Sequence, residues 1–364
     1  MIEISLSGFL GGGLSGDAVA GEARFVGLGD LPGGEFSSEA SGISADGTAV
    51  SGSSVIDDHD RTEAFLWTEE TGMVGLGDLP GGAFRSRASG ISADGSTVVG
   101  TSASQAGTEP FHWTREHSML GLGDLPKGIF SSDASGVSED GTVVVGRGQA
   151  IIGARAWLRA WRWIRTAGMV DLGDLPGGTI LSFASDVSSD GSVVVGESHS
   201  RSGFEAFRWT PEGGMVGLGD LGGGRFRSSA SAVSADGSVI VGFGTASSGT
   251  QAVRWTGGRR VRSLGDLPGG AVASQAYDIS ADGARIVGVG RTAKGNEAFL
   301  WDARGGMRNL RAVLVETHEL DLAGWTLLAA TAISADGRAM AGTGTNPHGN
   351  QEGWLAVLPV QEEN

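Results

Sequence analysis

The chain has no cysteine and a single tyrosine among 364 residues. The first absence excludes a disulfide framework and thiolate metal sites, and leaves the compartment open. Basic residues are scarce too: 26 Lys+Arg stand against 42 Asp+Glu, a formal net charge of −16. A field of that sign repels nucleic acid and anionic membrane surfaces, so no nucleic-acid partner is expected. No apolar run approaches the roughly 18 residues that cross a bilayer, so no membrane insertion is expected. The opening MIEISLSGFLGGGLSGDAV lacks a basic segment and interrupts its apolar stretch with glycine, which makes it a poor secretory signal. Six histidines fall at unrelated points, no two of them at metal-ligand spacing.

Glycine is the abundant residue, 65 in all, beside a hydrophobic content of 40%. The glycines sit at fixed offsets, which argues for an ordered repeat and against disorder. LGDLPGG starts at Leu28 and Leu76, and returns as LGDLPKG from Leu122, LGDLPGG from Leu172, LGDLGGG from Leu218 and LGDLPGG from Leu264. A second phrase, ASGISADG from Ala40, has seven copies and ends with ATAISADG from Ala330. An aromatic phrase ends at Trp67, Trp113, Trp163, Trp209, Trp255 and Trp301, with Trp354 in the last copy. From the first Leu of LGDL to the Asp of DG is always 18 residues, and from Trp to the next such Leu always 9. Among the first six copies only the stretch between DG and Trp varies.

Each unit reads as four short strands. A-S-x-I/V-S enters a tight turn whose Gly supplies a positive φ, and a β-branched run follows. The variable loop, the aromatic strand E-A-F-x-W-T and the short G-M-V-G-L-G strand complete it. Helical solenoids are excluded by the glycine and by the lack of a 3.6-residue period. The pattern predicts an all-β chain, a seven-bladed β-propeller of four-stranded antiparallel blades forming one domain over residues 1–364. The small-residue A-S-G-I-S strand is expected innermost and M-V-G-L-G outermost. That order leaves the last blade without an outer strand, and the spare copy Ala23–Leu28 is expected to close the ring. Residues 1–22 read as an extension or a decayed repeat. DLPGG is the connector from one blade to the next. Its Asp (Asp30, Asp78, Asp124, Asp174, Asp220, Asp266) is expected to accept backbone N–H groups, and the Ser eight residues on from each LGD Asp to be a second fixed hydrogen-bonding position.

The combination ISADG…VVG…EAFxW…GMVGLGDLPGG resembles the HAF-repeat family, probable bacterial extracellular repeat proteins. The likeness runs from about Ala23 to Pro359 and includes LDLAGWTLLAATAISADG (Leu320 to Gly337) and GTGTNPHGNQEGW (Gly342 to Trp354). It departs at the His of the family's triplet, which is Glu63, Glu109, Arg159, Glu205, Gln251 and Glu297 here. The resemblance implies an extracellular or cell-surface location and transfers no activity.

Candidate chemistry lies where the repeat is broken. The longest variable loop carries Arg155, Trp157, Arg159 and Trp161, aromatic and cationic groups suited to a glycan or protein surface. Trp325 in the enlarged last connector joins this candidate ligand set. Asp57, Asp58 and Asp60 around His59 are a candidate calcium loop, weighed against a solvated acidic loop. No nucleophile elbow appears and no other cofactor is expected. With four alternating strands, the variable loops and connectors share one face, where a binding surface is expected. The reading is a non-catalytic binding module for glycan or protein. The alternatives are a glycan hydrolase or lyase using carboxylates such as Asp186 and Asp278 on the inner strands, and a structural surface spacer.

Overall fold

The computed structural model describes residues 22–57 and 61–359. Its strands form antiparallel four-stranded sheets in chain order. The first sheet consists of Ser38–Ile43, Ala49–Val55, Thr62–Thr68 and Gly72–Gly75. Five more repeat the order: residues 81–121, 128–171, 177–217, 229–265 and 274–309. The second and third are joined by one parallel bridge, Ser131 to Thr108. Isolated bridges of the same kind, such as Thr250 to Ala273, recur elsewhere. The second and third are thus two sheets touching at a single bridge. The seventh comprises Thr326–Ile333, Ala339–Thr345 and Gln351–Val357, with Arg24–Gly27 as its fourth strand. That fourth strand pairs Arg24 with Val357 and Gly27 with Trp354, the pairing expected of the spare N-terminal copy.

The turn after each inner strand explains why S-x-D-G recurs. Ser44 Oγ donates to Asp46 Oδ1 at 2.7 Å and accepts from Ala49 N at 2.9 Å, while Gly47 takes φ +74°. The bonds lower the Asp46 carboxyl's pKa against the opposing effect of burial, which is the largest single influence on it. The residue between Ser and Asp ties one sheet to the next. Ala45 N–H donates to Ala93 O, and the chain of bonds proceeds through Glu139, Ser189, Ala235 and Ala281 to Ala335, whose N–H returns to Ala45 O at 3.0 Å. Seven apolar clusters match this circuit, one at each junction between neighbouring sheets.

Glycine in V-V-V-G has a packing cause. A Cβ on Gly52 would sit 2.5 Å from the Phe65 ring and 2.0 Å from Glu39 O, so the aromatic strand crosses where no side chain fits. The residue facing this glycine is Phe65 in the first sheet and Trp354 in the seventh. Trp354 thus corresponds to the Phe of the aromatic phrase and not to its Trp, correcting the alignment by sequence. The enlarged connector before the seventh sheet forms short helical turns, Leu310–Ala312 and Val313–Thr317, that bury Leu310, Val313 and Leu314.

Candidate functional site

Most repeated polar residues are occupied in holding sheets together. The connector Ser is buried and two-sided: Ser228 Oγ donates to Gly219 O at 2.8 Å and accepts from Ala206 N at 3.0 Å. Ser38, Ser86, Ser182 and Ser274 repeat this. The connector Asp is less uniform than expected. Asp220 accepts from Leu221, Thr245 and Arg227 N–H groups, and Asp124 from Leu125 and Phe130. Asp266 accepts from Ala273 N, Asp30 is met by the Ser54 hydroxyl, and Asp174 by Arg159. For Asp78, burial pushes the carboxyl up and only its own backbone N–H opposes it.

The triplet position is structural as well. Glu63 Oε1 accepts from Gly77 N at 2.9 Å, and Glu109 and Glu205 do likewise. The carboxylate fills the space a Cβ on Gly75 would need, only 2.3 Å away. The third repeat solves the same problem with the charges reversed. Asp171 replaces the glycine, takes the Gly173 N–H at 2.8 Å, and is held by Arg159 Nε at 3.0 Å. Arg159 is 6% exposed and also pairs with Asp174. Its guanidinium is committed inside the fold, which removes it from the candidate ligand set.

The remaining sequence candidates are scattered. Trp161 is 0% exposed, packed at the junction of the second and third sheets. Trp325 lies edge-on to Phe25 at 5.1 Å, against the closing strand. Arg155 and Trp157 do lie at the projecting third-sheet hairpin, Arg155 exposed and Trp157 half-buried opposite Ala150. They sit beside exposed Ile151 and Ile152. Asp57 accepts the Arg61 N–H at 3.0 Å and pairs with its guanidinium, while Asp58 and Asp60 fall outside the described residues. Among the described residues no three His, Asp or Glu side chains are grouped to hold a metal ion.

A site not anticipated as such lies on the connector and loop face, at the mouth of the central channel. Every inner strand has Ala facing Gly, as Ala40 faces Gly52. One residue earlier the repeat stops: the cross-strand pairs are Glu39–Ser53, Arg87–Thr101, Asp133–Arg147, Phe183–Glu197, Ser229–Phe243, Gln275–Val289 and Ala329–Thr343. Those of the second to fourth sheets, with Arg85 and with Ser229 of the fifth, line a hollow of about 700 Å³. Arg147 Nε pairs with Asp133 Oδ2 at 3.1 Å, and its guanidinium lies 5.5 Å from the centre of the Phe183 ring. Arg87 Nε donates to Thr62 Oγ1 at 3.2 Å. Burial pushes the Glu197 carboxyl up, offset in part by Arg227, a Ser229 hydrogen bond and Arg147. The readable signal was the irregular residue just before each repeated Ala. The repeated phrase itself begins at the Ala, so this residue lies just outside it.

Deeper in, the channel narrows to a space of about 250 Å³ ringed by hydroxyls such as Ser41, Ser89, Ser185 and Tyr277. Asp186 and Asp278 stand there, at the repeat position held by glycine or alanine in the other sheets. Asp186 Oδ2 accepts from Val233 N at 2.9 Å, and Asp278 Oδ2 from Ile333 N at 2.8 Å, so each carboxylate bonds the adjacent sheet. Burial, with the Asp278 charge second, pushes Asp186 up to about 7, and burial pushes Asp278 up to about 6.

No family model and no curated protein matches the sequence. Solved structures do match in shape. The β-propeller domain of the Trilobed protease from Pyrococcus furiosus aligns at a TM-score of 0.54 with 12% identity, over 85% of this chain and 89% of that one. A prolyl endopeptidase aligns at 0.54 with 10% identity, over 89% of this chain, which spans 50% of the endopeptidase. TolB from Acinetobacter baumannii aligns at 0.48 with 11% identity, over 72% of this chain and 63% of that one. At such identities the likeness speaks for the fold alone: the chain is an all-β protein of four-stranded antiparallel sheets similar to β-propellers.

Proposed function

We propose that the chain is a single seven-bladed propeller domain that acts as a non-catalytic binding module at the cell surface or outside the cell, as its resemblance to HAF-repeat proteins implies. Its partner, a glycan or a protein, presents acidic groups to the channel mouth. The observation that carries this reading is the convergence of unrepeated side chains on one hollow in a chain that otherwise repeats itself. Three arginines, Arg85, Arg87 and Arg147, meet there in a protein of net charge −16. Arg85 and Arg87 close no salt bridge among the described residues. Guanidinium groups match carboxylates and sulfates in two-point geometry, and Phe183 adds an apolar wall.

The test is a binding screen of the purified chain against acidic and neutral glycans and acidic peptides, repeated with the R85A/R87A double variant. Binding restricted to acid-bearing probes and weakened roughly tenfold or more by the double variant is expected, since a charge-assisted hydrogen bond contributes about 1.5–3 kcal/mol. Binding indifferent to probe charge, or untouched by the variant, refutes the assignment.

A further inference from the structure

A second hollow, of about 410 Å³, opens on the same face between the fourth and fifth sheets. It is walled by Phe204 and Phe226 and edged by His199, Arg225 and Arg227. Every ionisable side chain lining it is basic. His199 Nδ1 accepts the Thr179 N–H at 3.0 Å, which assigns the ring proton to Nε2 and leaves that nitrogen as a donor. The His199 ring stands edge-on to Phe204 at 5.2 Å, which fixes its orientation. Arg227 is held in place twice. Its backbone N–H donates to Asp220 Oδ2 at 2.8 Å, and its guanidinium lies 5.8 Å from the Phe204 ring centre and 5.9 Å from that of Phe243. Neither Arg225 nor Arg227 closes a salt bridge among the described residues.

Basic side chains beside aromatic walls, with no carboxylate lining the hollow and the Glu197 charge reaching only Arg227 from the channel-mouth side, suit a flat ring that carries an anion. The ring takes up apolar surface against Phe226, and the anion takes the guanidinium and imidazole N–H groups. We propose that this hollow is a binding site for a planar aromatic acid, an aryl carboxylate or aryl phosphate. The proposal rests on its own residues and not on the channel mouth, so the two stand or fall separately.

Benzoate, phenyl phosphate, benzamide and cyclohexanecarboxylate are titrated into the full chain and followed by ligand-observed NMR. Benzoate and phenyl phosphate are expected to bind at least roughly tenfold more tightly than benzamide, which lacks the charge, and than cyclohexanecarboxylate, which lacks the flat ring. R225A and F226A are each expected to weaken benzoate by a similar factor, while R87A at the channel mouth leaves it unchanged. Arg225 is exposed, so R225A tests the proposal even if F226A disturbs the connector. Equal binding of benzoate and benzamide, benzoate binding that survives R225A, or a loss in R87A equal to that in R225A would each overturn it.

Discussion

Asp186→Asn changes one buried charge and keeps its shape. The amide oxygen still accepts the Val233 N–H now taken at 2.9 Å. The carboxyl sits near 7 in the folded chain, against 3.8 for the ordinary group. The folded state therefore binds a proton more tightly than the unfolded one. Stability from this group is fully present below pH 3.8 and falls as pH rises through about 7. At about 1.4 kcal/mol per unit, the full shift would cost about 4 kcal/mol, an upper bound because Asp186 also borders the open channel. About half of that loss falls between pH 5 and pH 8, so the expected difference is about 2 kcal/mol. Urea unfolding of wild type and D186N at both pH values measures it, with Asp278→Asn as the companion. Wild type should lose stability across this window, and D186N should lose about 2 kcal/mol less. Parallel curves for the two proteins would refute the claim that burial, with the Asp278 charge, holds the proton on Asp186.

Two further perturbations test the architecture. Deleting residues 1–28 removes the Arg24–Gly27 strand and the Phe25 ring that lies 6.1 Å from Trp354 and 5.1 Å from Trp325; Phe25→Ala alone should cost about 3 kcal/mol, and the deletion more, in thermal unfolding. A truncated chain that melts like the intact one would sink the ring-closing role. Arg159→Glu should destabilise by about 3 kcal/mol, because it leaves Asp171 and Asp174 facing a third carboxylate. Adding Asp171→Gly restores the Glu–Gly pattern of the neighbouring repeats and should recover most of the loss, as a double-mutant cycle would show.

Much of the fold was legible because its signals are local. S-x-D-G encodes a turn through one hydroxyl, one carboxylate and one positive-φ glycine, all within a few residues. Constant spacing then set the strand order, the spare outer strand and the common face of the loops. The triplet position was legible as a departure from a family pattern, but not as a cap on the Gly77 or Gly123 N–H, since Glu63 and its target lie on different segments of the sheet. The aromatic candidates misled for a related reason. Trp157 and Trp161 are four residues apart on one strand, yet Trp161 is buried in a sheet junction and Trp157 stands where the hairpin projects. Composition cannot separate those environments.

By itself the sequence determined the elements: where strands begin, which turns join them, and that an N-terminal segment would pair with the last strand. Only the tertiary structure decided which side chains meet. Arg87, Arg147 and Phe183 belong to three repeats, and Phe204 and Arg227 to two neighbouring ones. Turn chemistry acts over a few bonds. A binding hollow depends on the rotation that carries each sheet past the last, and that rotation is set by the packing between sheets.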